Sequence, residues 1–334
     1  MRNEVLNDYL FAKAYEKELP ISASLEMLDA CNLRCEHCYL PEHINSGLTT
    51  EQVKYIIDDM KKVGVFTVTL TGGEIFTRKD IFEIIKYIRN KNMRVVLLTN
   101  ATLLNEIKIL QLKELNIAQL STTVFSMNPQ IHDSITGIKG SWKMVMKNLE
   151  LLKKHEINVQ VKTPLMKKNK YDYREIGEYC NEKGFVYRFG ARIFKKNDGD
   201  ESPQILKVPF SDLGDIIRDY DENEGKNLFD KDITCGALRY NFSVDMRGNV
   251  YPCVSYPICV GNVFDDTMET IWNSQLYRNI RNIKKSEVEE CKNCELKSYC
   301  KRCPAMAYRD KGNFYACDED AKKWAVCRRE KCGL

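Results

Sequence analysis

The sequence predicts an α/β protein: a partial (β/α)6 TIM-like barrel followed by a small cysteine-rich domain. Three observations predict it. Strand-like and helix-like runs alternate six times over residues 22–192. That span is shorter than the ~250 residues of a full eight-fold barrel. Nine of the fourteen cysteines fall between positions 253 and 332, where regular periodicity is short.

The strand candidates, in order, are residues 22–30, 65–70, 94–99, 117–122, 157–163 and 185–192. Between them lie helical patterns at 51–62, 79–90, 104–115, 142–155 and 171–183. Ile81, Ile84, Ile85 and Ile88 repeat at helical spacing, and Thr50 can serve as an N-cap. Strands alternating with helices in this way read as repeated βαβ units around a parallel sheet. Over residues 195–232 the periodicity fades into polar, turn-forming stretches carrying one helix near 212–220. The predicted divisions are an N-terminal extension over 1–21, the barrel over 22–194, a linker over 195–232 and the cysteine-rich domain over 233–334.

Composition sets bounds on function. Of 334 residues, 43% are apolar and 29% charged, ordinary for a globular protein. The net charge of +4 comes from 51 basic and 47 acidic residues without a basic stripe, so no nucleic-acid partner is expected. The N-terminus lacks the apolar region of a secretory signal, and no stretch reaches the ~20 apolar residues of a membrane span. The expected location is therefore the cytoplasm, with no membrane partner, where thiols stay reduced. Clustered cysteines in that setting read as metal or cluster ligands. Cys180, isolated in a helical pattern, reads as a small buried hydrophobe.

Cys31, Cys35 and Cys38 follow the first strand, where a parallel barrel gathers its reactive groups. Three thiolates on one loop can hold three irons of a cubane and leave the fourth iron open. Zinc, with His37 or a distant Cys as fourth ligand, is the alternative. The second strand ends in Thr71, Gly72, Gly73 and Glu74. Two glycines permit close approach of a ligand to the backbone, and the carboxylate can hold an ammonium; a plain βα turn is the bland alternative. Thr99 and Asn100 follow the third strand, and Ser121, Thr122 and Thr123 lie at the fourth, so polar groups end four successive strands.

Cys-x3-Cys-x2-Cys followed by Gly-Gly-Glu resembles the radical S-adenosylmethionine (SAM) superfamily. The resemblance implies a [4Fe–4S] cluster on Cys31, Cys35 and Cys38 whose open iron chelates SAM. It places the methionine amine at Gly72, Gly73 and Glu74 and the adenine near Tyr39. Asn100 and Ser121 match polar positions near the ribose and methionine carboxylate. It further implies reductive cleavage of SAM to a 5′-deoxyadenosyl radical that abstracts hydrogen from substrate.

Farther along, Cys235 and Cys253 flank a predicted hairpin whose turn is Arg247, Gly248 and Asn249. Then come Cys291, Cys294, Cys300 and Cys303, followed by Cys317, Cys327 and Cys332. A zinc ribbon is one reading of paired Cys-x2-Cys units. The order Cys235, twelve residues, Gly248, four residues, Cys253, then Cys-x2-Cys-x5-Cys resembles the SPASM extension of radical enzymes. That resemblance implies two auxiliary clusters, three [4Fe–4S] clusters in all. Cys235, Cys253 and Cys303 would hold the first, with Cys259 a candidate fourth ligand. Cys291, Cys294 and Cys300 would hold the second, closed by Cys317 or Cys327, with Cys317 preferred. Only two residues separate Cys300 from Cys303, where the family pattern has three.

The implied function is a maturase that abstracts hydrogen from a residue of a ribosomally made peptide, giving a cross-link, epimerisation or oxidation. The implied partners are the peptide and a flavodoxin- or ferredoxin-type electron donor; with only about 20 residues before the first strand, either a separate leader-peptide-binding protein presents the peptide or the barrel mouth binds it directly. Modification of a protein side chain or of a small molecule such as a haem precursor is the second reading. A non-catalytic iron–sulfur electron-transfer protein is the third. No general acid, base or hydrogen donor is identified.

Overall fold

The computed structural model describes residues 2–45, 47–223 and 232–331. In chain order the elements are α1 (Arg2–Lys17), β1 (Ser22–Glu26), α2 (Thr50–Lys62), β2 (Thr67–Thr71), α3 (Ile81–Asn90), β3 (Arg94–Leu98) and α4 (Glu106–Glu114). There follow β4 (Gln119–Thr123), α5 (Pro129–Thr136), α6 (Ser141–Lys154), β5 (Val159–Pro164), α7 (Tyr173–Lys183) and β6 (Val186–Gly190). Beyond them lie α8 (Leu213–Asn223), β7 (Asn241–Val244), β8 (Asn249–Tyr251), β9 (Gly261–Asn262), α9 (Met268–Trp272), α10 (Gln275–Arg281), α11 (Glu289–Lys292), α12 (Pro304–Lys311) and α13 (Glu319–Lys331). The chain divides into two compact units, one of Leu25–Ile57 and Thr67–Pro209, the other of Met1–Ser24, Asp58–Phe66 and Phe210–Leu334.

The first unit is the partial barrel. Its strands run in the order β6-β5-β4-β3-β2-β1, and β2 to β6 pair in parallel. All six predicted strands and all five predicted helices are present. Burial alternates along the strands because successive side chains point to opposite faces. Val68, Leu70, Val95, Leu97, Leu120, Val159 and Val161 are fully or almost fully buried. Tyr187 and Phe189 share a face of β6: Tyr187 lies against Gly177 of α7, and Phe189 stacks on Tyr173 of α7 at 4.6 Å. That face is the helix side. The alternate residues Leu98, Ser121, Gln160, Lys162 and Arg188 therefore occupy the inner face.

Two local features differ from the sequence expectation. Thr50 is not the cap of α2 but its first residue, and its hydroxyl donates to Asp80 at 2.6 Å. The cap is Thr49, whose hydroxyl accepts from Gln52 N at 3.2 Å while Gln52 Oε1 accepts from Thr49 N at 2.9 Å, a capping box. The helix α5 was not anticipated. It is only 8 residues long and is started by Asn128, whose side chain accepts from Gln130 N and Ile131 N.

In the second unit β7, β8 and β9 form an antiparallel meander. Its first turn works as the sequence suggests. Gly248 takes φ +83°, and the Asp245 carboxylate accepts from Arg247 N at 2.8 Å and Asn249 N at 2.9 Å. The predicted linker helix is α8; residues 224–231 of that predicted linker lie outside the described residues. Among the described residues, no helix is long and apolar enough to cross a membrane.

Candidate active site

The loop after β1 carries the first thiol group. Cys31, Cys35 and Cys38 are all half-buried, and the turn between the last two is closed by Cys38 N donating to Cys35 O at 3.0 Å. Burial raises the pKa of all three, to about 12 for Cys35, where the nearby Cys38 and Cys31 charges add to the effect. Three thiols that oppose one another's ionisation suit a metal, whose positive charge supports the thiolates that burial disfavours. Around them Leu33 N donates to Cys31 Sγ at 3.4 Å, and Asn100 Nδ2 lies 3.9 Å from the same sulfur. His43 Nε2 lies 3.4 Å from Cys38 Sγ. His43 has no signal in the sequence, because only the return of the loop brings it there. His37 instead packs its ring edge-on against Phe125, at 5.1 Å between centroids, and burial lowers its pKa to about 4.

The end of β2 is locked to this loop. Gly73 N donates to Leu28 O and Glu74 N to Ala30 O, each at 2.8 Å. A Cβ on Gly72 would come within 2.3 Å of Leu28 O, and one on Gly73 within 2.3 Å of both Asp29 O and Ala30 O. The close approach that requires these glycines is thus made by the cysteine loop itself.

Glu74 is fully buried. Its Oε1 accepts from Phe76 N at 2.9 Å and from the Thr99 hydroxyl at 2.7 Å; its Oε2 accepts from Asn100 N at 2.7 Å. Burial raises its pKa, and these three bonds oppose that rise. Asn100 in turn donates to Asn32 Oδ1 at 2.9 Å and accepts from Thr102 N and Thr102 Oγ1. The Tyr39 hydroxyl donates to Glu26, and its carbonyl accepts from Asn197 N at 2.9 Å. Ser121 is buried in β4 and donates to Gln160 of β5 at 3.1 Å. Polar contacts join Glu74, Asn100, Cys31 and Asn32, while Tyr39 and Ser121 stand outside them.

The second unit holds two more thiol groups. Cys253 is pushed up to about 12 by burial, with the charges of Cys235 and Cys303 adding to the shift. Tyr256, buried and joined to Cys253 O through its backbone N at 3.0 Å, feels the same three cysteines. Its hydroxyl is buried with no hydrogen-bond partner among the described residues. A buried orphan donor beside three thiols fits an acceptor that a cluster's sulfur supplies. Cys259 is exposed, and its thiol donates to Gly261 O at 3.1 Å.

Cys291, Cys294, Cys300 and Cys317 line one cavity together with Arg302, Asp318 and Lys322. Long-range bonds build that arrangement. Arg302 donates to Ala316 O from Nε at 3.1 Å and from Nη2 at 2.7 Å, and Asp318 accepts from Cys303 N at 2.9 Å and Ala321 N at 3.0 Å. These bonds draw the 316–318 segment onto the Cys300–Cys303 turn and set Cys317 beside Cys291. Cys300 and Cys303 fall in different groups, the first lining this cavity and the second acting on Cys253. Cys327 is buried on α13, Cys180 is fully buried on α7, and Cys332 lies outside the described residues.

Comparison with known proteins supplies the family. Residues 25–180 match the model of the radical SAM superfamily, and residues 235–295 match SPASM, an iron–sulfur cluster-binding domain. The subtilosin biosynthesis protein AlbA of Bacillus subtilis is 30% identical over 314 residues, covering 86% of this chain and 68% of that protein. An AdoMet-dependent heme synthase of Methanosarcina barkeri is 26% identical over 326 residues, covering 86% and 92%. In fold, SuiB of Streptococcus suis, solved with the precursor peptide SuiA, gives a TM-score of 0.71 at 16% identity over 96% of this chain and 80% of that one. A relative at 30% identity spanned over two thirds of its length, with the family model lying on the strands that frame the first thiol group, shows that this chain belongs to the radical SAM superfamily and is a SAM-using iron–sulfur enzyme.

Proposed function

We propose that the enzyme matures a ribosomally made peptide, abstracting hydrogen from one of its residues on the way to a cross-link, epimerisation or oxidation. The observation that carries this reading is the 30% identity to a bacteriocin biosynthesis protein over most of the chain. In the proposal Cys31, Cys35 and Cys38 hold the cluster that meets SAM. Cys235, Cys253 and Cys303 hold one auxiliary cluster; Cys291, Cys294, Cys300 and Cys317 hold the other. When bound, SAM and its cluster supply a 5′-deoxyadenosyl radical. The residues of the chain bind, orient and shield. Gly72 and Gly73 bring the cysteine loop against β2, Asn100 stands beside Cys31, and Glu74 positions Asn100 through its backbone. Tyr39 and Ser121 complete the proposed SAM contacts. The domain limits proposed are 22–194 for the barrel and 233–334 for the cluster domain. A flavodoxin- or ferredoxin-type donor and a separate leader-binding protein complete the system, which we place in the cytoplasm.

The heme synthase relative favours the second reading, in which the substrate is a small molecule such as a haem precursor. The test is turnover by the anaerobically reconstituted enzyme with a peptide encoded beside its gene, against Fe-coproporphyrin III. Peptide-dependent formation of 5′-deoxyadenosine with a mass change in the peptide supports maturation. Consumption of the porphyrin with an unchanged peptide overturns it.

A further inference from the structure

Beyond the cysteines and the network at the ends of β2 and β3, the inner face of the barrel carries a pair of unneutralised cations. Lys162 on β5 and Arg188 on β6 are register partners in the parallel sheet, and Thr123, the last residue of β4, is the partner of Lys162 on the other side. All three lie one inner-face step beyond Ser121 and Gln160, toward the C-terminal ends of the strands, where parallel barrels place their substrates. Lys162 is half-buried; its carbonyl accepts from Val124 N at 3.1 Å, but its ammonium has no hydrogen bond or ion pair among the described residues. Arg188 is exposed; among the described residues its side chain makes one bond, from Nη1 to Tyr187 O at 3.0 Å, and no ion pair. Burial alone lowers the pKa of Lys162, with no carboxylate acting on it. On the inner face the acid of β1, Glu26, is four strands from β5 and is bonded to Tyr39.

Placing a lysine on a partly desolvated face without a counter-charge costs stability. A second cation on the adjacent strand adds repulsion. Such a pair is favourable only when an anion comes to it, and a planar guanidinium beside an ammonium matches a carboxylate. We propose that Lys162 and Arg188 form a subsite for a carboxylate of the substrate. This deepens the peptide reading and rests on it: the modified residue lies next to an acidic side chain or to the C-terminal carboxylate of the peptide.

The test uses the reconstituted holoenzyme with N-acetylglutamate as probe and the neutral N-acetylglutamine amide as its control. The readout is protection of Lys162 from acetic-anhydride labelling, followed by peptide mass spectrometry. The acid should protect Lys162 at least five-fold and the amide should not, and Arg188→Gln should abolish the protection. Equal labelling with both probes would overturn the subsite. So would a ten-fold loss of SAM affinity in Lys162→Gln, because the cation would then belong to the carboxylate of SAM. Since the labelling is read on the wild-type chain, a variant that misfolds leaves the test intact. Protection by Fe-coproporphyrin III that disappears in Arg188→Gln would uphold the carboxylate subsite and overturn the peptide reading, so the two claims fail separately.

Discussion

Glu74→Gln distinguishes a carboxylate that holds the barrel together from one that touches the cofactor. The buried carboxylate accepts three bonds, from Phe76 N, the Thr99 hydroxyl and Asn100 N. A glutamine amide offers one acceptor oxygen, so whichever way it is turned its NH2 faces at least one of these donors. If the oxygen keeps Phe76 and Thr99, the half-buried Asn100 N faces the amide NH2 and is left unpaired. An orphaned donor costs about 1–3 kcal/mol, and hydrogen bonds to a charged acceptor are worth about 1.5–3 kcal/mol each. Removing the charge returns part of this, because burial already disfavours ionisation here. The net expectation is about 2–4 kcal/mol of lost stability, or roughly 5–15 °C in Tm for a unit of this size. Thermal unfolding of the anaerobic protein by circular dichroism measures it. SAM titration, followed by the paramagnetic resonance of the reduced cluster, is run in parallel with iron content. A Tm unchanged within 2 °C or so, together with a ten- to hundred-fold loss of SAM affinity, would refute the positioning role and show that the carboxylate meets the ammonium directly.

Four further outcomes are expected. Replacing Cys31, Cys35 and Cys38 together by Ala should remove about four irons and all 5′-deoxyadenosine; zinc as the sole metal of anaerobically purified protein would contradict the scheme. Cys317→Ser should lose iron from the second auxiliary site while Cys327→Ala retains it, measured as iron per chain; the reverse order would move the closing ligand to α13. Tyr256→Phe should lower the midpoint potential of one cluster by on the order of 50 mV in a redox titration, since removing a donor disfavours the more negative reduced state; an unchanged potential would separate the hydroxyl from the cluster. His132, buried with Nδ1 accepting from Phe125 N at 3.3 Å, has its pKa lowered by burial to about 4. Its contribution to stability is complete above about pH 6.5 and is lost as pH falls toward 4, roughly 2 kcal/mol by pH 5. Denaturant unfolding at pH 7.5 and 5 should show this loss reduced in His132→Phe, and equal losses would contradict it.

The barrel and the grouping of the first three cysteines are legible in the sequence. Each strand and each long helix carries its own period, so β1 to β6 are readable one at a time, and Cys31, Cys35 and Cys38 are grouped within eight residues of chain. The short α5 escaped because its start depends on the Asn128 side chain and its apolar face spans barely two turns. The tertiary structure decided what depends on contacts between distant segments. Cys317 and Cys327 are both candidates along the chain, with Cys317 preferred only for the turn it follows; the bonds from Arg302 to Ala316 and from Cys303 to Asp318 bring Cys317, and not Cys327, into the cavity of Cys291, Cys294 and Cys300. His43 reaches Cys38 because a loop returns, and Glu74 is buried because the ends of β2 and β3 close over it. Lys162 and Arg188 become neighbours only when β5 and β6 pair in register. Local periodicity fixes which way a side chain points, but its partners are set by the packing of segments far apart in the chain, and that information is not contained in any one window of sequence.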